Sequence, residues 1–378
     1  MATSLYGANE QVTMTVRFPE LGYYVLPGHV SHPGTVIGEV RDGAGLGLGS
    51  IWISERLNTK SVEVLSGVAA AQETTMGIAA GLIANLTLRN PLVVAAYGST
   101  MSLLTAGRFA LGIGRGQNPL SDAAGVARLN FKLLEDWITI LRALWRGEAV
   151  TYTGPAGNLR NATLGLAVNP PPPIIMAPMG ERTCYWAGRL CDGVVFNSLW
   201  TPAAVERSSR LVRQGAIDAG RDPDRVRVWT IAVTACNPSE EDVLNIVVRR
   251  MNTYLALGDM FDHVCIANQW DRAVLDEVRA IMFDTTGTAK GSVGDEHVSR
   301  ELDVLRRCRD LYPREWLEAG CLIGSPRHCA DGMLERFDAG ADGVLLHGSV
   351  ASALRPVIDA WAERRPRDRF DRLDANPG

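Results

Sequence analysis

The sequence lacks any apolar run of about 18 residues uninterrupted by charge or loop signals, so no membrane span is expected. It opens without a basic-then-apolar run before Leu21, so no signal peptide is expected and a cytoplasmic location is. No dense Lys/Arg stripe accompanies the net charge of −4, so nucleic acid is not an expected partner. Seven cysteines are scattered with no CxxC pair, which argues for reduced, buried thiols and against a zinc site. HExxH, a Walker loop and a Ser-His-Asp elbow are all missing, and no metal site is expected.

What is present is glycine and apolar surface: 38 glycines and 46% apolar residues in 378 suit a large core with many tight turns. The organising stretch runs from Met76 to Gln117. Apolar runs Ile78–Ile83 and Phe109–Ile113 flank a helical segment, Leu92–Leu104, opened by Asn90-Pro91 and closed by Gly107. A strand, a helix and a second strand form a βαβ unit, hence a parallel sheet. Each strand discharges into loop chemistry, Ala84-Asn85 and Gly114-Arg115-Gly116-Gln117, where ligands gather in such architectures.

The same alternation recurs along the chain. Further strands are expected at Leu21–Leu26, Ser50–Ser54, Ile174–Ala177, Gly193–Phe196, Arg225–Ala235 and Gly343–His347. Helices are expected at Lys60–Gln72, Phe131–Trp145, Glu181–Leu190, Pro202–Ala219, Ser239–Leu257 and Pro326–Ala339, with a hairpin or excursion over Gly147–Asn169. The rhythm breaks across Gly258–Gly320, which holds helical pieces but no obvious strand. Eight strands with one long insertion before the last predict an α/β TIM (β/α)8 barrel as a single domain over 1–378. Residues 258–320 are then the insertion and 364–378 a solvated tail or subunit contact. An open doubly wound sheet is the alternative.

Here the residues carry a family resemblance. Ser54-Glu55-Arg56, Arg89-Asn90-Pro91, the segment from Leu104 to Gly116 (LTAGRFALGIGRG), the region Ile174–Gly193 and Gly324-Ser325-Pro326 follow one another as they do in the bacterial-luciferase-like flavin/deazaflavin oxidoreductases. The most specific part is L-x-x-G-R-F-x-L-G-x-G-x-G. The chain resembles the coenzyme F420-dependent branch more closely, which implies a hydride-transferring enzyme acting on a small or mid-sized organic substrate. An FMN-dependent monooxygenase fed by a separate reductase is the alternative, and a non-catalytic flavin-binding homologue a third reading.

The resemblance implies a non-prolyl cis peptide at or next to Gly81-Leu82, with Ala84 beyond it, supporting the face of a tricyclic ring. It places the cofactor's phosphate and ribityl portion against Gly114, Arg115, Gly116 and Gln117 and against Ala177, Pro178, Met179 and Gly180, the last four leading into a helix N-terminus. Arg115 has a second reading as a partner for a neighbouring carboxylate. Some relatives carry a histidine where this chain has Arg56. Arginine stays protonated, so Arg56 is suited to hold an anionic group and not to carry a proton. Glu55 becomes the acid/base candidate or a ring hydrogen-bond acceptor, unless it simply pairs with Arg56. Tyr24, His29, Asn85, Asn197 and Trp200 are candidate substrate contacts, and His347 ends the eighth strand at the same face. Trp52 and Trp229 are expected in the core. A homodimer through outer helices is expected.

Overall fold

The computed structural model describes residues 16–28, 30, 32–57, 59–72, 75–116, 118–257, 259–286 and 301–378. Among them, eight parallel strands close into a barrel. In chain order the strands are β1 (Phe18–Tyr24), β2 (Leu48–Ile53), β3 (Gly77–Ile83), β4 (Phe109–Ile113), β5 (Val150–Gly154), β6 (Gly157–Ala162), β7 (Ile174–Met176), β8 (Gly193–Phe196), β9 (Arg227–Cys236), β10 (Cys321–Gly324) and β11 (Gly343–His347). The ring runs β1-β2-β3-β4-β7-β8-β9-β11 and returns to β1, which excludes the open sheet. β5 and β6 form the expected antiparallel hairpin outside it.

One strand was not foreseen. The four residues of β10 pair in parallel with Val233–Cys236, the overhanging end of the long β9, on the edge opposite β11 and beyond the stretch, Arg227–Thr230, where β9 pairs with β8. The segment before it is helical as expected, with Met260–Asn268, Val274–Thr286, Leu302–Leu311 and Arg314–Gly320.

The helices start where the sequence supplies caps. Asn90 accepts from the Leu92 amide and Pro91 fills the first helical position of Pro91–Leu104. Asn130 and Ser325 cap Phe131–Trp145 and Pro326–Asp338 in the same way. The main core lies between strands and helices, and a second apolar cluster fills the barrel lumen. There Trp52 and Trp229 meet edge to face, 5.2 Å between centroids, as a floor under the strand ends.

The C-terminal segment departs from the solvated tail expected of it. Phe370 is buried, and Trp229 Nε1 donates to Pro377 O at 2.7 Å. Arg227 donates to the Asn376 and Asp374 carbonyls and, at 2.6 Å, to Pro19 O. Burial pulls this guanidinium down to about 10, which leaves it charged at neutral pH. Arg365 pairs with the fully buried Glu20 at 2.7 Å. The tail thus plugs the N-terminal end of the barrel and leaves the opposite end open.

Candidate functional site

At that open end the strand exits surround a cavity of about 180 Å³. Of the residues singled out in the sequence, it brings together Tyr24, Glu55, Arg56, Gly81, Leu82, Ala84, Ala177, Asn197 and His347. Larger crevices of about 990 and 930 Å³ lie among outer helices and at the plugged end, away from the strand exits where barrel chemistry is placed.

The wall formed by β3 is bulged. Ala80 pairs with Leu111 and Ile83 with Ile113, so three steps of β3 oppose two of β4, and the peptide Gly81-Leu82 within the bulge is cis. Gly81 is glycine because Trp52 lies beneath it: a Cβ there would sit 2.7 Å from the indole. The glycines of β4 and its exit answer the same bulge. Side chains at Gly112, Gly114 and Gly116 would meet Ala80 O at 2.0 Å, Leu82 Cδ1 at 3.3 Å and Ala84 O at 2.9 Å. What approaches Gly114 and Gly116 is thus the β3 exit, and neither lines the cavity at the strand exits or the one beside Arg115.

Glu55 does not pair with Arg56. Its carboxylate, 1% exposed, is held by Arg89 on one oxygen and by the Asn85 amide, at 3.1 Å, on the other. Arg89 also reaches Glu63 at 2.6 Å. Asn85 is buried and serves this anchor without lining the mouth. Arg56 exchanges backbone hydrogen bonds with Lys60, 3.0 and 2.7 Å, and Lys60 Nζ donates to Leu26 O at 2.8 Å, stitching the β1 exit to the β2 exit.

Across the mouth, Tyr254 donates to Asn197 Oδ1, and Asn197 Nδ2 contacts Met179 Sδ at 3.2 Å. His347, at the end of β11, sits 4.8 Å from Tyr24 in edge contact, and Arg250 Nη2 approaches its Nε2 at 3.0 Å. Burial, with Arg250, Lys60 and Arg56 nearby, holds the imidazole well below the usual histidine range, so it is neutral at pH 7. Burial likewise raises the Tyr24 phenol, which stays protonated.

A second cavity of about 280 Å³ shares Ala177 with the first. Its wall includes Arg115, Met179, Gly180 and Thr183 together with Asn130 and Phe131. It is flanked by the first turns of two helices, Phe131–Trp145 and Glu181–Leu190, whose free N–H groups and dipoles favour an anion. Arg115 pairs with Asp259 at 2.8 Å, and His263 approaches the same carboxylate at 3.4 Å.

Trp200 and Pro178 also line neither cavity. Trp200 is buried, donates to Ser208 Oγ at 3.3 Å and is absent from the mouth lining, so it is a core residue. Pro178 is buried and lines neither cavity. His29 and Gln117 lie outside the described residues. Sequence reasoning missed Lys60, Arg250 and Tyr254. Only the spacing of Arg250 and Tyr254, four apart on one helix, hinted at a shared face. Among the described residues no group of His, Cys, Asp or Glu is placed to hold a metal ion, and no helix is long and apolar enough to cross a membrane.

Comparison with known proteins gives concordant findings. The profile of a family described as luciferase-like monooxygenase matches residues 25–343. The chain is 27% identical over 197 residues to a 5,10-methylenetetrahydromethanopterin reductase of Methanolobus tindarius, covering 52% of this chain and 59% of that protein. It is 30% identical over 164 residues to an F420-dependent glucose-6-phosphate dehydrogenase of Kineococcus radiotolerans, covering 40% and 49%. The matches thus span about half the length of these curated relatives. Among solved structures, a coenzyme F420-dependent tetrahydromethanopterin reductase from Methanopyrus kandleri superimposes with a TM-score of 0.75 at 18% identity, over 92% of this chain and 99% of that one. That likeness is one of fold.

Proposed function

The chain belongs to the luciferase-like monooxygenase family, an enzyme family, and we propose that it is a coenzyme F420-dependent oxidoreductase acting on a small or mid-sized organic substrate. The observation that carries this reading is the pair of cavities meeting at Ala177. One has an apolar floor and a bulged backbone wall that suits a planar ring. The other has Arg115 and two helix N-termini that suit an anionic tail.

When bound, the deazaflavin supplies the hydride. The rest falls to the chain. Gly81, Leu82 and Ala84 present the ring face, while Ala177, Met179, Gly180, Thr183 and Arg115 hold the tail. Glu55, with both oxygens engaged, fixes the β3 exit through Asn85 and Arg89 and is a positioning residue on this reading. Tyr24, Arg56 and Asn197 border the space left for substrate, which the lumen floor shields from water. Two of the relatives carry F420-linked or methanopterin-reducing activities in their names, in line with this assignment.

Titration of the apoprotein with the deazaflavin and with FMN, read by tryptophan fluorescence, tests it, since Trp52 packs directly beneath Gly81 of the cavity wall. Tighter quenching by the deazaflavin is expected. Tighter quenching by FMN overturns the assignment in favour of a monooxygenase supplied by a separate reductase, and quenching by neither overturns both. We also propose a cytoplasmic homodimer. Val64, Val93 and Leu104, each more than 60% exposed on adjacent outer helices, offer an apolar face. Sedimentation as a monomer would remove that part.

A further inference from the structure

His347 closes the mouth from the end of β11 with half of its hydrogen-bonding capacity unused. The side chain is 8% exposed and lines the cavity. Its Nε2 lies 3.0 Å from Arg250 Nη2. A guanidinium only donates, so Nε2 accepts and the neutral ring carries its proton on Nδ1. That Nδ1 has no partner among the described residues. Buried N–H groups almost always find an acceptor, and a ligand entering the cavity can supply this one.

The surroundings hold the ring in this orientation. Tyr24 packs edge-on against it. Arg250 is carried by the helix Arg249–Ala256, which follows a π-helical segment, Val243–Val248. Ile246 of that segment packs against Gly348, where a side chain would meet it at 2.7 Å, so the wide turn nests beside His347. Wide turns of this kind frequently mark functional sites, and here one aims Arg250 at the histidine and Tyr254 at Asn197.

Resting on the hydride-transfer reading above, we propose that His347 is a catalytic residue whose Nδ1–H binds the oxygen of a ketone or aldehyde substrate and delivers the proton to it. The carbonyl carbon receives the hydride supplied by the reduced deazaflavin and a C–H bond forms. The C=O π pair moves to oxygen, and the oxygen takes the Nδ1 proton. The substrate is reduced by two electrons to an alcohol, the deazaflavin is oxidised, and Nδ1 is reprotonated from water. A neutral imidazole suffices as donor because an alkoxide is strongly basic, and a neutral histidine polarising a carbonyl has precedent. The cations Arg250, Lys60 and Arg56 around the ring offset the charge left on it. Arg56, standing where some relatives place a histidine, cannot carry that proton.

Two measurements test this on the full chain. Nitrogen-15 histidine NMR of the apoprotein should show His347 as the Nδ1–H tautomer, still neutral at about pH 6, below the ordinary midpoint of ~6.5. An Nε2–H tautomer overturns the proposal. The second measurement follows reoxidation of the reduced deazaflavin by acetone, cyclohexanone and benzaldehyde. His347→Ala and His347→Gln should lose about 10²–10³-fold in kcat, the usual loss for one donor to a developing oxyanion. His347→Asn, whose amide N–H lies near the Nδ1 position, should recover part of it. All three should quench with the deazaflavin like the wild type. Should His347→Ala fail to fold, His347→Asn and the tautomer still decide. If the wild type binds no deazaflavin, the parent reading falls and this one with it. If it binds the cofactor but His347→Ala reduces carbonyls at the wild-type rate, or the wild type reduces none of the three, this proposal alone falls.

Discussion

Arg89 closes on Glu55 at the junction of the β2 and β3 exits, and the arginine next to Glu55 in sequence, Arg56, is not its partner. The two residues come from the loop after β2 and from the turn before Pro91–Leu104, 34 positions apart. Their contact pins the bulged end of β3 against the neighbouring strand end. The cavity at the strand exits therefore owes its wall to an ion pair with a fully buried carboxylate and a largely buried guanidinium, 1% and 15% of the two side chains being exposed.

Removing one partner of such a pair should be costly. Arg89→Ala strands the Glu55 carboxylate and is expected to destabilise the protein by about 3–5 kcal/mol, as for other broken buried pairs. Urea unfolding measures this. Glu55→Gln should also lower stability, while the pH–rate profile keeps its wild-type shape because Glu55 holds structure and does not exchange the proton. A flattened acid limb in Glu55→Gln would return Glu55 to the acid/base role.

Arg115 faces two anions in turn on the proposed reading. Its pair with Asp259 is half exposed on both sides, and pairs of that kind contribute about 0–1 kcal/mol, so an anionic tail can displace the carboxylate. Asp259→Asn should then tighten cofactor binding by up to about fivefold, the equivalent of ~1 kcal/mol. Arg115→Ala should weaken it by about 10- to 100-fold, since a charge-assisted hydrogen bond contributes ~1.5–3 kcal/mol. Fluorescence titration distinguishes these, and equal affinities in all three proteins would remove Arg115 from the tail site.

The barrel was legible because its signals are local. β4, β8 and β11 and the helix Phe131–Trp145 have the boundaries that their apolar runs and caps announce. β10 was not legible, since Cys321–Gly324 is too short for a periodicity and pairs only with the overhang of β9. The glycines after β4 announced close approach without naming what approaches, and the answer, the β3 bulge, is tertiary. The tail reads as alternating charge, yet its carbonyls and not its charges seat it on Trp229 and Arg227. Arg250 and Tyr254 were hidden for a related reason: a π-helical turn shifts the face that a 3.6-residue period assigns to them.

The plug at the N-terminal end predicts a loss of stability on truncation. Deleting residues 374–378 removes the acceptors of Trp229 Nε1 and two of those of Arg227. An orphaned buried donor costs about 1–3 kcal/mol, so stability should fall by ~2–4 kcal/mol, read as a lower urea midpoint. Trp229→Phe in the full chain, which removes the donor along with its need, should lose less than the truncation. Equal midpoints for the wild type and the truncated chain would mean that the segment rests on the barrel without sealing it.

The neutral state of His347 predicts how stability responds to acid. Its folded pKa lies well below the ordinary value, chiefly through burial and then through Arg250, Lys60 and Arg56. The unfolded chain takes up a proton there near pH 6.5 while the folded chain does not. Below that pH the unfolded state binds more protons, so stability falls as pH falls, with a limiting slope of about 1.4 kcal/mol per pH unit for one such group. The loss continues until the folded pKa is reached. Above about pH 7.5 the two states bind equally and the effect vanishes. His347→Gln carries no titrating group at that position, and the Tyr24 phenol, raised by burial, stays protonated throughout this window. The difference in unfolding free energy between the wild type and His347→Gln should therefore drift against the wild type from pH 7 to pH 5. Parallel stability curves over that range would mean that the imidazole titrates alike in both states, and that its burial against Arg250 does not hold it neutral.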